Sequence, residues 1–212
     1  MRSFRKQFRT LTPVLLIAYL VTFLSLLSVI IASTYKSVPL DVFTKDPTAI
    51  MNAPFYIGAF SNIGIMFWSG AAVLCFFTAF SIMKHHDLKE DYRFLIVSAL
   101  ITLILAVDDM FLVHEEVFPD YFNLSANAVI ITYINIFIIY IILFRAQILQ
   151  SEFIALGLAF FFLGLSTVID LLPLPIEKDT FLEDAIKLFG VVSWFIYFYR
   201  YSRQVLVLAR PL

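Results

Sequence analysis

The chemistry-bearing part of this sequence begins where an apolar run meets a group of charged residues. Residues 103–107 are apolar, and five ionisable side chains follow within nine positions: Asp108, Asp109, His114, Glu115 and Glu116. Carboxylates inside a membrane helix are costly and mark functional sites. Carboxylates joined by an imidazole suit Zn, Mn or Fe, whereas carboxylates alone suit Ca or Mg. The pattern therefore favours an acidic site that holds a divalent metal ion.

A second polar group lies in the last third of the chain. Asp170 ends one apolar run, and Glu183, Asp184 and Lys187 begin the next. Asp108 and Asp170 both lie near the C-terminal ends of predicted helices, where the helix dipole disfavours negative charge. We therefore expect a functional role for both.

These residues predict a metal-dependent reaction. The expected ligands are Asp108, His114, Glu115 and Asp170. A bound ion, with Zn, Mn or Fe favoured over Ca or Mg, would lower the pKa of a coordinated water. Asp109 or Glu183 would transfer protons, and Lys187 would stabilise an anionic transition state or headgroup. The predicted pocket lining includes Asn62, Ser69 and Asp184.

Simpler structural roles are open for several of these residues. Thr180 and Glu183 have the spacing of a capping box, and acidic side chains are favourable at helix N-termini. Glu115 and Glu116 also fit a hydrated loop. Asn62 and Ser69 lie among small residues, as polar groups in packed membrane helices do.

The histidine and cysteine counts exclude two kinds of metal site and an intramolecular disulfide. His85 and His86 are predicted at the opposite membrane face from His114, which excludes a three-histidine zinc site within one chain. Cys75 is the only cysteine, so an intramolecular disulfide and a cysteine-based metal site are excluded. A basic stripe of the kind that binds nucleic acid is absent from the sequence.

The elements that must position these residues are membrane helices. Hydrophobic residues make up 61% of the 212 residues and charged residues 15%, far from soluble proportions. The first run is too long for the core of a signal peptide, so it is predicted as a retained helix. The sequence predicts one all-α, multi-pass integral membrane domain over residues 1–212, with six transmembrane helices at about 11–33, 54–82, 94–113, 126–148, 153–172 and 182–199.

Orientation follows from the distribution of lysine and arginine. One side holds the two termini and the segments 83–93 and 145–152, with eleven of the fifteen basic residues. Since cytoplasmic loops carry the excess of Lys and Arg, both termini are predicted to be cytoplasmic. The acidic residues then share one level near the outer face of a plasma or inner membrane. The predicted pocket lies there, between the second, third, fifth and sixth helices.

Three functions are consistent with this pattern. The first is a metal-dependent membrane enzyme, a hydrolase acting on a lipid or lipid-linked substrate from the surrounding bilayer. The second is a small proton- or cation-coupled transporter, because intramembrane acids serve that function as well. The third is a structural or assembly subunit of a membrane complex. The sequence does not choose between oligomeric states.

Overall fold

The computed structural model describes residues 4–54, 56–171 and 179–209, and all regular structure in these residues is helical. This confirms the all-α class. The chain divides into two compact units, Met1–Ile57 and Gly58–Leu212. Whether they function as one domain, as the sequence predicts, stays a prediction.

The first unit is one long helix followed by two short ones. Helix α1 covers Phe4–Lys36, α2 covers Leu40–Thr44 and α3 covers Pro47–Ile50. The side chain of Asp46 caps α3 by accepting a hydrogen bond from the backbone N–H of Thr48 at 2.8 Å. Such a cap satisfies one of the free N–H groups at a helix start.

The second unit holds the remaining helices and all the predicted site residues. Its α-helices are α4 (Ala59–Ile82), α5 (Lys89–Phe111), α6 (Phe118–Phe122), α7 (Ala126–Leu143), α8 (Arg145–Leu149), α9 (Phe153–Leu171) and α10 (Asp179–Leu208). A 3₁₀ turn, His86–Leu88, precedes α5, and a π-helical turn, Val113–Val117, follows it.

Five of the described helices are long and apolar enough to cross a bilayer, so the chain is a multi-pass integral membrane protein. They lie in α1, α4, α5, α7 and α9. The sixth predicted span falls in α10, which has 30 residues but carries Glu183, Asp184 and Lys187 in its first half and Arg200 and Arg203 in its second. The six-helix count and the side of the termini therefore stay predictions.

The core of the second unit is built on α4, α5 and α10, with α9 packed against α10. Gly190 of α10 allows α9 and α10 to approach closely, because a Cβ atom there would lie 2.7 Å from Leu163 Cγ of α9. Helix α7 joins mainly through large side chains: the Tyr140 ring stacks on Phe94 with centroids 5.7 Å apart. The Tyr140 hydroxyl also hydrogen-bonds Ser98 at 2.7 Å. Cavities lie beside α7 along part of its length.

Several helix ends differ from the sequence prediction. The third predicted span ends at Phe111, because Leu112 has a left-handed backbone (φ 49°) that cannot continue an α-helix. The fourth divides at Phe144, whose ψ of 19° lies outside the helical range. The sixth runs to Leu208.

Candidate functional site

The site is built where α5 ends. The α-helical backbone conformation ends at Leu112. Val113–Val117 then form a π-helical turn, a rare element that is frequent at functional sites. A bulky residue in the left-handed region costs on the order of 1–3 kcal/mol, and the surrounding structure must stabilise it. The turn brings His114 back onto Asp108.

Three hydrogen bonds hold the carboxylate of Asp108, which is only 4% exposed. The backbone N–H of His114 donates to Oδ1 at 2.9 Å, and the imidazole Nδ1 lies 2.6 Å from Oδ2. The hydroxyl of Tyr133, on α7, donates to Oδ1 at 3.0 Å. An ionised aspartate only accepts hydrogen bonds, so Nδ1 of His114 carries the proton. Asp108 thereby satisfies a backbone donor of the turn that follows α5 and fixes the tautomer of His114.

Asp109 points to different partners because neighbouring residues on a helix differ by about 100° in direction. The indole N–H of Trp68, on α4, donates to Oδ2 at 2.9 Å. The ammonium group of Lys187, on α10, donates to Oδ1 at 2.7 Å. The side chains are 34% exposed for Lys187 and 12% for Asp109. The ion pair therefore links α5 to α10, and the Trp68 hydrogen bond links α4 to α5 at the same level.

His114 has the properties of an acid–base group. The hydrogen bond from its ring to Asp108 raises the pKa of His114 above the ordinary histidine value, and partial burial opposes that rise. With Nδ1 held by Asp108, Nε2 is left toward Glu115, whose carboxylate lies 3.4 Å away. An imidazole anchored in this way presents one nitrogen for proton transfer.

The two aspartates lie at the polar end of a cavity of about 320 Å³. Its charged lining consists of Asp108, Asp109, His114, Glu115, Asp170, Glu183 and Lys187. Its apolar lining comes mostly from one face of α7 and from α9: Ile130, Ile134, Phe137, Ile138, Ile141, Phe160 and Leu163. Ligand pockets have this size and this mixture of apolar walls and few polar groups.

Three carboxylates of the cavity have no lysine or arginine partner among the described residues. They are Glu115, Asp170 and Glu183. Among the described residues, Lys187 is the only lysine or arginine in the cavity lining, and it is already paired with Asp109. The cavity therefore carries a surplus of negative charge.

All seven residues predicted to bind metal or act in catalysis line this cavity, although their roles stay predictions. Asp184 instead lines a small separate cavity between α4 and α10. Asn62 and Ser69, both on α4, line neither. Helix α7 was not expected to contribute, yet it supplies Tyr133 and most of one wall. Trp68 was also not predicted. Tyr133 and Trp68 each carry a hydrogen-bond donor within an apolar run, and this was the signal that could have identified them.

The carboxylate of Asp108, one of the predicted metal ligands, is already hydrogen-bonded by the protein. Each of the four carboxylate oxygens of Asp108 and Asp109 accepts a hydrogen bond from the protein. Across the described part of the chain, no group of three or more His, Cys, Asp and Glu side chains is placed to hold a metal. His85 and His86 precede α5, and the stretch of helix from Lys89 to Asp108 separates them from the His114 ring by about 28 Å. A metal ion at this site stays an expectation from sequence.

Fold and site together define a class: a multi-pass helical membrane protein with an acidic cavity. Residues 11–201 match the family described as a domain of unknown function, DUF8692. The chain belongs to this family. No curated protein and no solved structure matches the chain. The family description assigns no reaction to its members.

Proposed function

We propose that this protein is a membrane-embedded hydrolase that acts on a lipid substrate by general acid–base catalysis. The observation that carries the proposal is the 2.6 Å contact between His114 Nδ1 and Asp108 at the polar end of a cavity with apolar walls. Proton transfer by a positioned histidine contributes about 10²–10⁴-fold to rate.

In the proposed reaction His114 acts as the base. Its Nε2 takes a proton from a water molecule, whose oxygen forms a bond to the carbonyl carbon of an ester or amide. When the bond to the leaving group breaks, the proton passes from Nε2 to the leaving oxygen or nitrogen. Asp108 stabilises the transient imidazolium and holds its orientation, as a buried carboxylate does for a catalytic histidine.

The other charged groups have supporting roles in this proposal. Lys187 neutralises Asp109 and fixes its position, and Trp68 completes that hydrogen bonding. Glu183, at the start of α10, has no ion-pair partner among the described residues and is available to exchange protons with water. The metal-dependent variant of the reaction differs in needing an ion, and elemental analysis of the purified protein distinguishes the two.

A proton-coupled transporter is the second candidate, and a polar stripe on α5 favours it. Asp91, Ser98, Thr102 and Asp109 are spaced by seven, four and seven residues and so share one face. Ser98 and Thr102 are fully buried, and Trp194 donates to Thr102 at 3.0 Å. The stripe is interrupted between Thr102 and Asp109, where Trp68 and Trp194 are in ring contact. This interruption is why we favour the hydrolase.

Hydrolysis itself is the test of the proposal. Purified protein in nanodiscs is incubated with a panel of single-chain and two-chain lipid esters and amides, and the released products are quantified. We expect turnover of at least one amphiphile. No turnover across the panel, together with proton uptake into proteoliposomes under a pH gradient, would replace the hydrolase with the transporter.

The proposed topology has six spans and cytoplasmic termini, from the excess of basic residues on one side. Cys75 is the only cysteine in the sequence, so a Cys75→Ala background leaves only introduced thiols. We expect Lys45→Cys and Asp120→Cys to react with an impermeant maleimide on intact cells. Lys89→Cys should react only after the membrane is permeabilised. Labelling of position 89 on intact cells would overturn this topology.

A further inference from the structure

The apolar wall of the cavity has the length of one acyl chain. Ile130, Ile134, Ile138 and Ile141 recur at intervals of three or four residues along one face of α7. Eleven residues of helix rise by about 16 Å. The hydrocarbon core of a bilayer is ~30 Å thick, so the wall spans the depth of a single leaflet. A chain lying along this wall fills the cavity.

The cavity is open along the side of the protein. Ile134, Ile138 and Ile141 line it and are also 47%, 50% and 39% exposed. In a helix that crosses a bilayer, such exposure is to lipid chains. On the facing helix Gly164 lines the cavity, and a Cβ atom there would have no neighbour within 4 Å. An amphiphile can therefore enter sideways from the leaflet, without passing through water.

The polar end of the cavity selects the headgroup. Each oxygen of Asp108 and Asp109 already accepts a hydrogen bond from the protein, so Glu115, Asp170 and Glu183 are the carboxylates most available to a bound molecule. Like charges in a low-dielectric site repel strongly, so a phosphate or carboxylate headgroup is disfavoured. A protonated amine supplies both the missing charge and hydrogen-bond donors for these acceptors.

A second groove serves as an internal comparison. It lies on another face of α7 and is lined by Leu103, Ile104, Val107, Val129, Thr132 and Ile136. Asp108 and Tyr133 reach it, but Glu115, Asp170 and Glu183 do not. It therefore offers apolar contact without the surplus negative charge. The headgroup argument applies to the first cavity alone.

We infer that the cavity binds a single-chain amphiphile with a protonated amine headgroup, taken from the bilayer with its chain along α7. The inference rests on the proposed function in that it names the substrate class of the same site. Binding, however, is measured without turnover. If dodecylamine binds but no ester or amide with an amine headgroup is hydrolysed, the hydrolase is removed and this inference is kept. Hydrolysis of anionic or neutral amphiphiles only would overturn this inference and keep the hydrolase.

The test uses the full chain in nanodiscs and radiolabelled dodecylamine, with empty nanodiscs subtracted. Unlabelled dodecylamine, dodecanol and dodecanoic acid compete for the site. We expect dodecylamine to compete about tenfold or more better than dodecanol, as a charge-assisted hydrogen bond implies, and dodecanoic acid to compete least. The double variant Asp170→Asn/Glu183→Gln should remove the preference for the amine while leaving dodecanol binding unchanged.

Two glycines of α9 give a matched pair for the chain-binding wall. Gly157 and Gly164 are seven residues apart, and a Cβ atom at either would meet nothing within 4 Å. Only Gly164 lines the cavity. We expect Gly164→Leu to lower dodecylamine affinity about tenfold or more, and Gly157→Leu to leave it unchanged. Equal affinity for amine and fatty acid, or binding unaffected by Gly164→Leu, would overturn the inference.

Discussion

Lys187→Met will lower the free energy of unfolding by about 2 kcal/mol, because it leaves the carboxylate of Asp109 without its cation. Breaking a fully buried pair costs ~3–5 kcal/mol, and the partial exposure of Lys187 reduces that figure. Methionine keeps most of the side-chain volume, so the effect is electrostatic. Chemical denaturation of the purified protein measures it.

Two variants separate this effect from a general loss of packing. The double variant Asp109→Asn/Lys187→Met removes both charges and should recover most of the lost stability. Lys45 pairs with Asp41 on the surface at 2.8 Å, with side chains 58% and 52% exposed. Lys45→Met should therefore change the free energy of unfolding by less than about 0.5 kcal/mol. Equal effects of Lys187→Met and Lys45→Met would show that the Asp109 pair is not a structural link.

The helices were predictable because their signal is strong and local. Long apolar runs bounded by charges place α4, α5, α7 and α9 to within a few residues at most ends. The convergence of acids on one level also follows from sequence, since antiparallel spans return Asp108, Asp170 and Glu183 to the same side. These predictions need only helix rise and connectivity.

The detail of the site could not be predicted in the same way. Leu112 adopts a left-handed backbone although leucine favours helices, because the contacts of His114 and Asp108 override local preference. The cavity wall on α7 could not be predicted from the sequence for a different reason. Its isoleucines are identical in type to those that face lipid, so an apolar span shows no amphipathic pattern that marks one face.

Asp108→Asn will strongly lower activity. Asparagine has nearly the same shape but lacks the charge that fixes the tautomer of His114 and stabilises its imidazolium. We expect hydrolysis of a substrate identified in the amphiphile panel to fall about 10²-fold or more, and His114→Gln to fall as far. Asp120→Asn is the control, because Asp120 is exposed on α6 and does not line the cavity. Full activity in Asp108→Asn would exclude the proposed pair from catalysis.

The same pair predicts how pH acts on the protein. The base form of His114 is needed for proton abstraction, so activity should rise with pH through its raised pKa. Stability should change in the opposite direction. The contribution of a histidine with a raised pKa in the folded state is complete below the unfolded value of about 6.5 and is lost as pH rises through the folded value. Asp108→Asn should weaken both dependences.

The most direct test of the central claim is an NMR titration of His114. The chain has three histidines, so His85→Gln/His86→Gln leaves one imidazole to observe. If Asp108 and His114 form the proposed pair, the pKa of His114 will lie above the ordinary histidine value and will fall when Asp108→Asn is added. A pKa at or below the ordinary value that Asp108→Asn does not move would contradict the account.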